Sequence, residues 1–140
     1  QLDPAARENL IVGSNYYYTI DNPENKKFVE AYKKKFKGVP PGYAGAAGYG
    51  LMKMTLLGMQ KSGSTEPQKV ITALEEHKGK NFVGDFEIRG RNHQTVRPFF
   101  VLQTKKKNEM KNQYDMAEVV DVSSTEQPKN INMCKDIGSF

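Results

Sequence analysis

The chain has 140 residues, of which 37% are hydrophobic and 26% are charged, and its mean hydropathy is -0.70. Lys and Arg outnumber Asp and Glu by 21 to 16, which gives a formal net charge of +5. This length favours one domain, and no apolar run approaches the roughly 18 residues of a membrane-spanning helix, so we expect no transmembrane segment. The positive charge fits either an anionic partner such as nucleic acid or the ordinary surface charge of a small domain.

The N-terminal sequence Gln1-Leu2-Asp3-Pro4 lacks the charged and apolar regions of a secretory signal peptide. This fits a cytosolic protein, a mature secreted protein or an internal fragment. The single cysteine, Cys134, excludes an intramolecular disulfide and leaves the redox compartment open.

The predicted elements begin with short strands within residues 8–20, ENLIVGSNYYYTI, where β-branched and aromatic residues dominate. A helix follows, because Asp21 or Asn22 can cap it and Pro23 suits its first position. Apolar residues at helical spacing predict its inner face, namely Phe28, Val29, Tyr32 and Phe36. Gly38 and the following Pro-Pro pair are expected to end it.

A second helix is predicted over residues 42–63, GYAGAAGYGLMKMTLLGMQKSG, because the segment is long and almost continuously apolar. Four interior glycines each cost about 1 kcal/mol relative to alanine. They are Gly45, Gly48, Gly50 and Gly58. We therefore expect a central helix that is buried on most sides, where close packing offsets that cost.

A third helix is predicted within STEPQKVITALEEHKG. Thr65 and Gln68 have the spacing of a capping box, and Gly79 is expected to end the helix. His77 then lies in the last turn, where a cation meets the negative end of the helix.

Strands are predicted after the third helix. NFVGDFEIRG and TVRPFFVLQT form a hairpin-like pair with Pro98 at an edge or bulge, and DMAEVVDV is a last short strand. The chain from Pro128 onward is expected to be loosely ordered. This order predicts an α/β fold in which three helices meet too few strands, as in a portion of a larger fold.

The residues offer few groups for metal or covalent chemistry. The only histidines are His77 and His93, both far from Cys134 in sequence, and His93 is expected to be exposed in a polar turn. No metal site and no cofactor are predicted. No G-x-S-x-G elbow is present, and GYAGAAGYG lacks the G-K-[ST] ending of a phosphate-binding loop, so we predict no catalytic residue.

Two lysine runs could bind nucleic acid, which requires basic residues for the phosphate backbone and aromatic residues on which bases stack. Lys33–Lys35 lie beside Tyr32 and Phe36, but these aromatic residues are expected on the inner face of the helix. Lys105–Lys107 have no aromatic neighbours. Both runs are therefore interpreted as solvated faces, and no nucleic-acid partner is predicted.

The tyrosines are the remaining candidates for a site. Tyr16, Tyr17 and Tyr18 lie at a predicted strand end and Tyr43 at a helix start, which are places where α/β proteins bind ligands. Tyrosine combines a large apolar ring with a polar tip, which suits the wall of a small-molecule site. Plain core and rim packing is the alternative interpretation.

Three segments in this order resemble a known family: YYYTIDNPENKKFVEAYKKKF, PPGYAGAAGYGLMKMTLLGMQKSGSTEPQKVITALEE and FVGDFEIRGRNHQTVRPFFVLQ. They are similar to the C-terminal part of type I periplasmic binding proteins, in particular the Leu/Ile/Val-binding-like receptors of ABC importers. The resemblance extends from about Val12 to Gln103. Its motifs are an F-x-x-x-Y-x-x-x-[FY] helix, a tyrosine that opens an alanine-rich helix, and an F-x-G-x-F hairpin.

The resemblance implies a Rossmann-like lobe of a two-lobed receptor that is over twice this length. Residues 1–20 would end one lobe and form a hinge crossover, and 21–84 would form the helical part of the N-terminal lobe. Residues 85–104 would be the return crossover hairpin, and 105–140 the C-terminal segment of the second lobe. The strands that cover the helices would lie in the remainder of the same receptor chain.

The resemblance also implies a site. The position of Tyr43 contributes an aromatic or apolar ligand contact in the family, and Tyr17 and Tyr18 fall near the cleft at the hinge. His93 matches a turn outside the cleft, and Asp21 and Asn22 match no ligand contact. The acidic residue that grips the ligand in the second lobe would precede the first residue of this sequence.

The function that follows is a non-catalytic, small-molecule-binding subunit of an ABC importer, periplasmic or extracellular and membrane-anchored, with the membrane permease as partner. Branched-chain amino acids, aromatic acids and other small carboxylates all remain open as ligands. An α/β enzyme domain that lacks its active-site half is the alternative, and a basic nucleic-acid-binding domain is the weaker one.

Overall fold

The computed structural model describes residues 4–75, 77–90 and 92–124. Two short 3-10 turns, Pro4–Arg7 and Lys107–Glu109, accompany the regular elements. The helices are α1 (Pro23–Lys35), α2 (Tyr43–Ser62) and α3 (Pro67–Leu74). The strands are β1 (Ile11–Ser14), β2 (Lys78–Asn81), β3 (Gly84–Ile88), β4 (Thr95–Val96), β5 (Pro98–Thr104) and β6 (Ala117–Ser124).

The strands form two antiparallel sheets of three strands, in the orders β1-β5-β6 and β2-β3-β4. The predicted hairpin is divided between them, because β3 pairs with β4 through Glu87 and Val96, whereas β5 leaves to pair with β1 and β6. Pro98 stands at this division, as the first residue of β5. This position suits a residue that has no N–H to donate.

The start of α1 is fixed by Asn22 rather than Asp21. The Asn22 side-chain oxygen accepts hydrogen bonds from the N–H groups of Glu24 (2.8 Å) and Asn25 (3.2 Å). Pro23 occupies the first helical turn, as predicted. The expectation that Phe36 faces inward is wrong, since α1 ends at Lys35 and Phe36 is 45% exposed.

An aromatic cluster forms the centre of the core. The rings of Phe28 and Tyr49 stack at 4.3 Å, and Phe82 meets Phe28 edge to face at 5.5 Å. Tyr16 joins from the segment after β1, with its ring 5.8 Å from that of Phe82. The cluster therefore joins α1, α2, the β2–β3 turn and the Tyr16 segment.

The expectation that α2 is buried on most sides is wrong. Only Ala46 and Gly58 are buried along it, and Leu51 is 72% exposed. Close packing does explain three of its four interior glycines: a Cβ at Gly58 would lie 2.8 Å from Val70, and Gly45 and Gly50 lie under aromatic rings. One face of α2 is thus closely packed while the opposite face is open.

Helix α3 is shorter than predicted, and its cap differs. Glu66, not Thr65, accepts hydrogen bonds from the N–H groups of Gln68 and Lys69. The helix ends at Leu74, so His77 lies outside the last turn. After Leu74 the chain continues into β2, in which Gly79 pairs with Phe86 of β3.

Two further predictions concern the chain ends and the membrane. The predicted last strand is confirmed as β6, while Cys134 and the segment from Pro128 lie outside the described residues. In the part of the chain that the structure describes, no helix is long and apolar enough to cross a membrane.

Candidate functional site

A groove of about 600 Å³ lies between α2, α3, the β2–β3 turn and the segment that joins β1 to α1. Tyr43 is at its edge, in the first position of α2, and is 61% exposed. Tyr16 lies inside it, beside Asn15. The walls between them are aliphatic and include Leu51 and Ile71.

Tyr16 is held rigidly in the wall of this groove. Its hydroxyl donates a 2.9 Å hydrogen bond to Oδ1 of Asn25, which is completely buried. The Asn25 amide in turn donates to the carbonyls of Tyr18 (3.1 Å) and Ile20 (2.9 Å). Burial raises the pKa of Tyr16 well above its ordinary value, so the phenol stays neutral and keeps its proton for Asn25.

Tyr17 and Tyr18 point to a different side of the same segment and do not line the groove. The Tyr17 hydroxyl donates to the Tyr114 carbonyl (3.2 Å) and accepts from the Ala117 N–H (3.0 Å), which attaches the segment to the start of β6. The Tyr17 and Tyr18 rings are 5.0 Å apart, and Lys33 Nζ lies 5.5 Å from the Tyr18 ring centroid. Of the three predicted ligand residues, the structure therefore brings only Tyr43 to the groove.

Polar side chains also line the groove. His93 Nε2 lies 2.8 Å from Oε1 of Glu75, and both side chains are about three-quarters buried, at 28% and 27% exposed. His93 and Glu75 both line the groove, together with Arg97. The expectation that His93 is exposed is therefore wrong, because the backbone after β3 turns at His93 (φ 53°) and carries its ring back toward the end of α3.

The residue types made Tyr16, Tyr17 and Tyr18 candidates together, whereas the resemblance placed only Tyr17 and Tyr18 near the cleft; of the three, Tyr16 lines the groove. Side chains alternate only along extended backbone, and the chain turns at Tyr18 and Thr19, so the three consecutive tyrosines give no sign of which one faces the groove. Glu75 and His93 are 18 residues apart in sequence, with no motif that links them. The turn between β3 and β4 brings them together by returning His93 to the end of α3.

The groove is suited to hold a small molecule. It combines aromatic and aliphatic walls with a few polar groups, which is the usual composition of a ligand site. Among the described residues, no group of three His, Cys, Asp or Glu side chains is placed to hold a metal ion.

Comparison with known proteins identifies the family. A family model described as periplasmic binding protein matches residues 1–109. No curated protein matches this chain. Among solved structures, an amino acid ABC transporter substrate-binding protein from Pseudomonas fluorescens Pf-5 is 26% identical with a TM-score of 0.82, and the match covers 91% of this chain and 34% of that one.

Two more solved structures share the fold. A branched chain amino acid ABC transporter periplasmic ligand-binding protein from Burkholderia xenovorans LB400 is 21% identical with a TM-score of 0.76, over 86% of this chain and 32% of that one. A solute binding protein of an ABC transporter from Rhodopseudomonas palustris BisB5, in complex with 3,4-dihydroxy benzoic acid, is 20% identical with a TM-score of 0.74, over 89% and 33%.

The chain spans about a third of the length of these solved structures. The predicted fold class, an α/β portion of a type I periplasmic binding protein, is confirmed by the family match and by the similarity of fold. The chain belongs to the periplasmic binding protein family.

Proposed function

We propose that this chain contributes to a receptor that binds a small molecule for an ABC importer and does not transform it. The observation that carries the proposal is the groove beside Tyr16 and Tyr43, in a chain of the periplasmic binding protein family. The proposed ligands are amino acids and small aromatic or aliphatic carboxylates. Amino acids and 3,4-dihydroxy benzoic acid occur in the names of the similar solved structures. The proposed location is the periplasm or the outer face of the membrane, with the permease as partner.

Tyr43 is the proposed ligand contact within the groove. Its ring is free to meet a ligand because it is 61% exposed, and its place at the start of α2 fixes its backbone. Tyr17 and Tyr18 are proposed to border the seam between two lobes. Contact of these two rings with the ligand would depend on closure of the second lobe, which is a hinge motion.

The remainder of the receptor is proposed to cover the open face of α2. Met52 and Leu56 lie on this face outside the groove, and each is more than half exposed, at 60% and 56%. Because the members of this family are larger proteins, such an exposed apolar face is suited to pack against a sheet from the rest of the receptor. The division proposed from the sequence is then hinge (1–20), helical part (21–84), return hairpin (85–104) and second-lobe segment (105–140).

The test is ligand binding by the receptor at its natural full length. Isothermal titration with leucine, isoleucine, valine and 3,4-dihydroxy benzoate should give saturable binding of at least one compound without turnover. Conversion of a bound compound would instead favour an enzyme. Binding of none of these classes, in a protein shown to be folded, would contradict the proposed ligand chemistry.

Substitution of Tyr43 tests the site. Tyr43→Ala should weaken binding at least several-fold, because an aromatic ring in a site contributes a large contact area. Tyr43→Phe should keep most of the affinity. Met116→Ala is the matched control, since Met116 is 51% exposed and lies outside the groove. Equal affinity of Tyr43→Ala and the Met116 control would remove Tyr43 from the site.

A further inference from the structure

The turn between α1 and α2 carries an unusual combination of charge and exposed apolar residues. Between Glu30 and Glu66 the sequence has six lysines and no acidic residue. Lys34, Lys35 and Lys37 are exposed at the end of α1, and Phe36 and Val39 beside them are 45% and 40% exposed. These five residues are called the basic tip.

The basic tip is held in a fixed shape. The N–H of Phe36 donates to the Tyr32 carbonyl (2.9 Å), that of Gly38 to Lys33 (2.8 Å) and that of Val39 to Phe36 (3.1 Å). Gly38 has a φ of 88°, which favours glycine and produces the sharp turn. The Phe36 ring lies tilted against that of Tyr32, with the ring centroids 4.2 Å apart. The exposed apolar side chains are therefore presented by the fold.

Acidic groups near the basic tip do not neutralise it. Some other described lysines are paired with a carboxylate, such as Lys26 with Asp21 and Lys53 with Glu24. Glu30, one turn before Lys34, is the acidic residue of the second half of α1 and is exposed. Three lysines beside one carboxylate leave a positive surface with an apolar centre.

We propose that the basic tip binds the surface of an anionic lipid bilayer. Flexible lysines attract anionic headgroups without needing a fixed partner geometry, and single exposed apolar side chains can enter the boundary of the acyl region. The basic tip combines like charges with two exposed apolar side chains, which together match an anionic surface with an apolar layer beneath it. This property is independent of the small molecule in the groove.

The experiment is sedimentation of the full-length protein with vesicles of equal parts phosphatidylglycerol and phosphatidylcholine at 50 mM salt. Binding should exceed that to pure phosphatidylcholine vesicles and should be lost at 500 mM salt, because screening shortens the reach of surface charges. Equal binding to the two vesicle types, or no binding to either, would overturn the proposal.

Two variants locate the contact. Lys35→Glu should lower vesicle affinity roughly twenty-five-fold, since each lysine near an anionic surface contributes about five-fold and the reversal counts twice. Phe36→Ser should lower it about five-fold at unchanged net charge. The matched control is Lys69→Glu, an exposed lysine in the first turn of α3 with the same change of charge.

The comparison of the two charge variants decides the outcome. A loss for Lys35→Glu together with a change of less than two-fold for Lys69→Glu supports a local contact. Equal losses of vesicle affinity for both variants would show that only the net charge of the protein matters, and would overturn the proposal. Binding of the basic tip to an acidic protein, with vesicle binding unaffected by Lys35→Glu, would also overturn it. Circular dichroism shows whether each variant is folded.

Discussion

The aromatic cluster around Phe28 and the open face of α2 are equally apolar in sequence but differ in what covers them. Phe28 is 9% exposed because Tyr16, Tyr49 and Phe82 surround it. Leu51, two residues after Tyr49 and on another face of the same helix, is 72% exposed. Apolar side chains are favoured in buried positions, but the tertiary structure decides which of them the described chain buries.

The difference also concerns how polar groups are satisfied. Within the cluster, the buried Asn25 exchanges hydrogen bonds with Tyr16, Tyr18 and Ile20. Among the described residues, no buried side-chain polar atom lacks a partner. The hydrogen bonds of the cluster thus hold the tyrosine segment in one arrangement. The open face of α2 makes no comparable contacts within the described residues. Stability experiments can test this contrast.

The largest effect is expected for Asn25→Ala. It removes the acceptor of the Tyr16 hydroxyl and the Asn25 donor from the Tyr18 and Ile20 carbonyls, of which Ile20 keeps the Asn22 N–H, so the free energy of unfolding should fall by about 3 kcal/mol. Urea denaturation measures it. Asn108→Ala is the control, because Asn108 is exposed and its removal should change stability by less than about 0.5 kcal/mol. Similar effects of both changes would mean that the Asn25 hydrogen bonds do not hold the segment.

Two glycines of α2 should respond in opposite directions. Gly58→Ala places a Cβ 2.8 Å from Cγ1 of Val70 and 3.0 Å from Leu74, and should cost about 2 kcal/mol through overpacking. Gly48→Ala meets nothing within 4 Å and should gain about 1 kcal/mol from helix propensity. Thermal unfolding of the two variants measures the contrast. Stabilisation by both substitutions would contradict the close packing of α2 on α3.

The smallest effect is expected at a buried ion pair near the tyrosine segment. Asp115 accepts hydrogen bonds from Lys105 Nζ (2.7 Å) and from the Lys111 N–H (3.1 Å), and both hold its pKa below the ordinary value. A depressed carboxyl pKa gives stability that is present above about pH 4 and is lost as pH falls through the folded-state value. Asp115→Asn should therefore cost about 1 kcal/mol at pH 7 and progressively less toward pH 2.

The control for Asp115 is an exposed ion pair. Asp85 lies 3.2 Å from Lys80, and their side chains are 77% and 84% exposed. Asp85→Asn should change the free energy of unfolding by less than about 0.5 kcal/mol at either pH. Urea denaturation at pH 7 and pH 3 measures both variants. Equal losses at pH 7 would show that burial adds nothing to the Asp115 interactions.

The candidate site was predicted in part. The prediction of a helix start at Tyr43 is confirmed, since α2 begins there, whereas contact of Tyr43 with a ligand stays a prediction although the residue lies at the groove. The pairing of Glu75 with His93 had no sequence pattern, because the two residues lie on different elements. Ligand contact by Tyr17 and Tyr18 stays a prediction.

The sequence by itself determined the starts of α1 and α2, the α/β class and the family resemblance. These depend on local chemistry: Asn22 and Pro23 begin α1 through neighbouring backbone groups, and glycines mark close packing along α2. Only the tertiary structure decided which of three tyrosines faces the groove, where His93 lies and which face of α2 stays open. Each of these depends on contacts between residues that are distant in sequence. Hydrophobic periodicity shows which side chains are apolar but does not show which residues they contact.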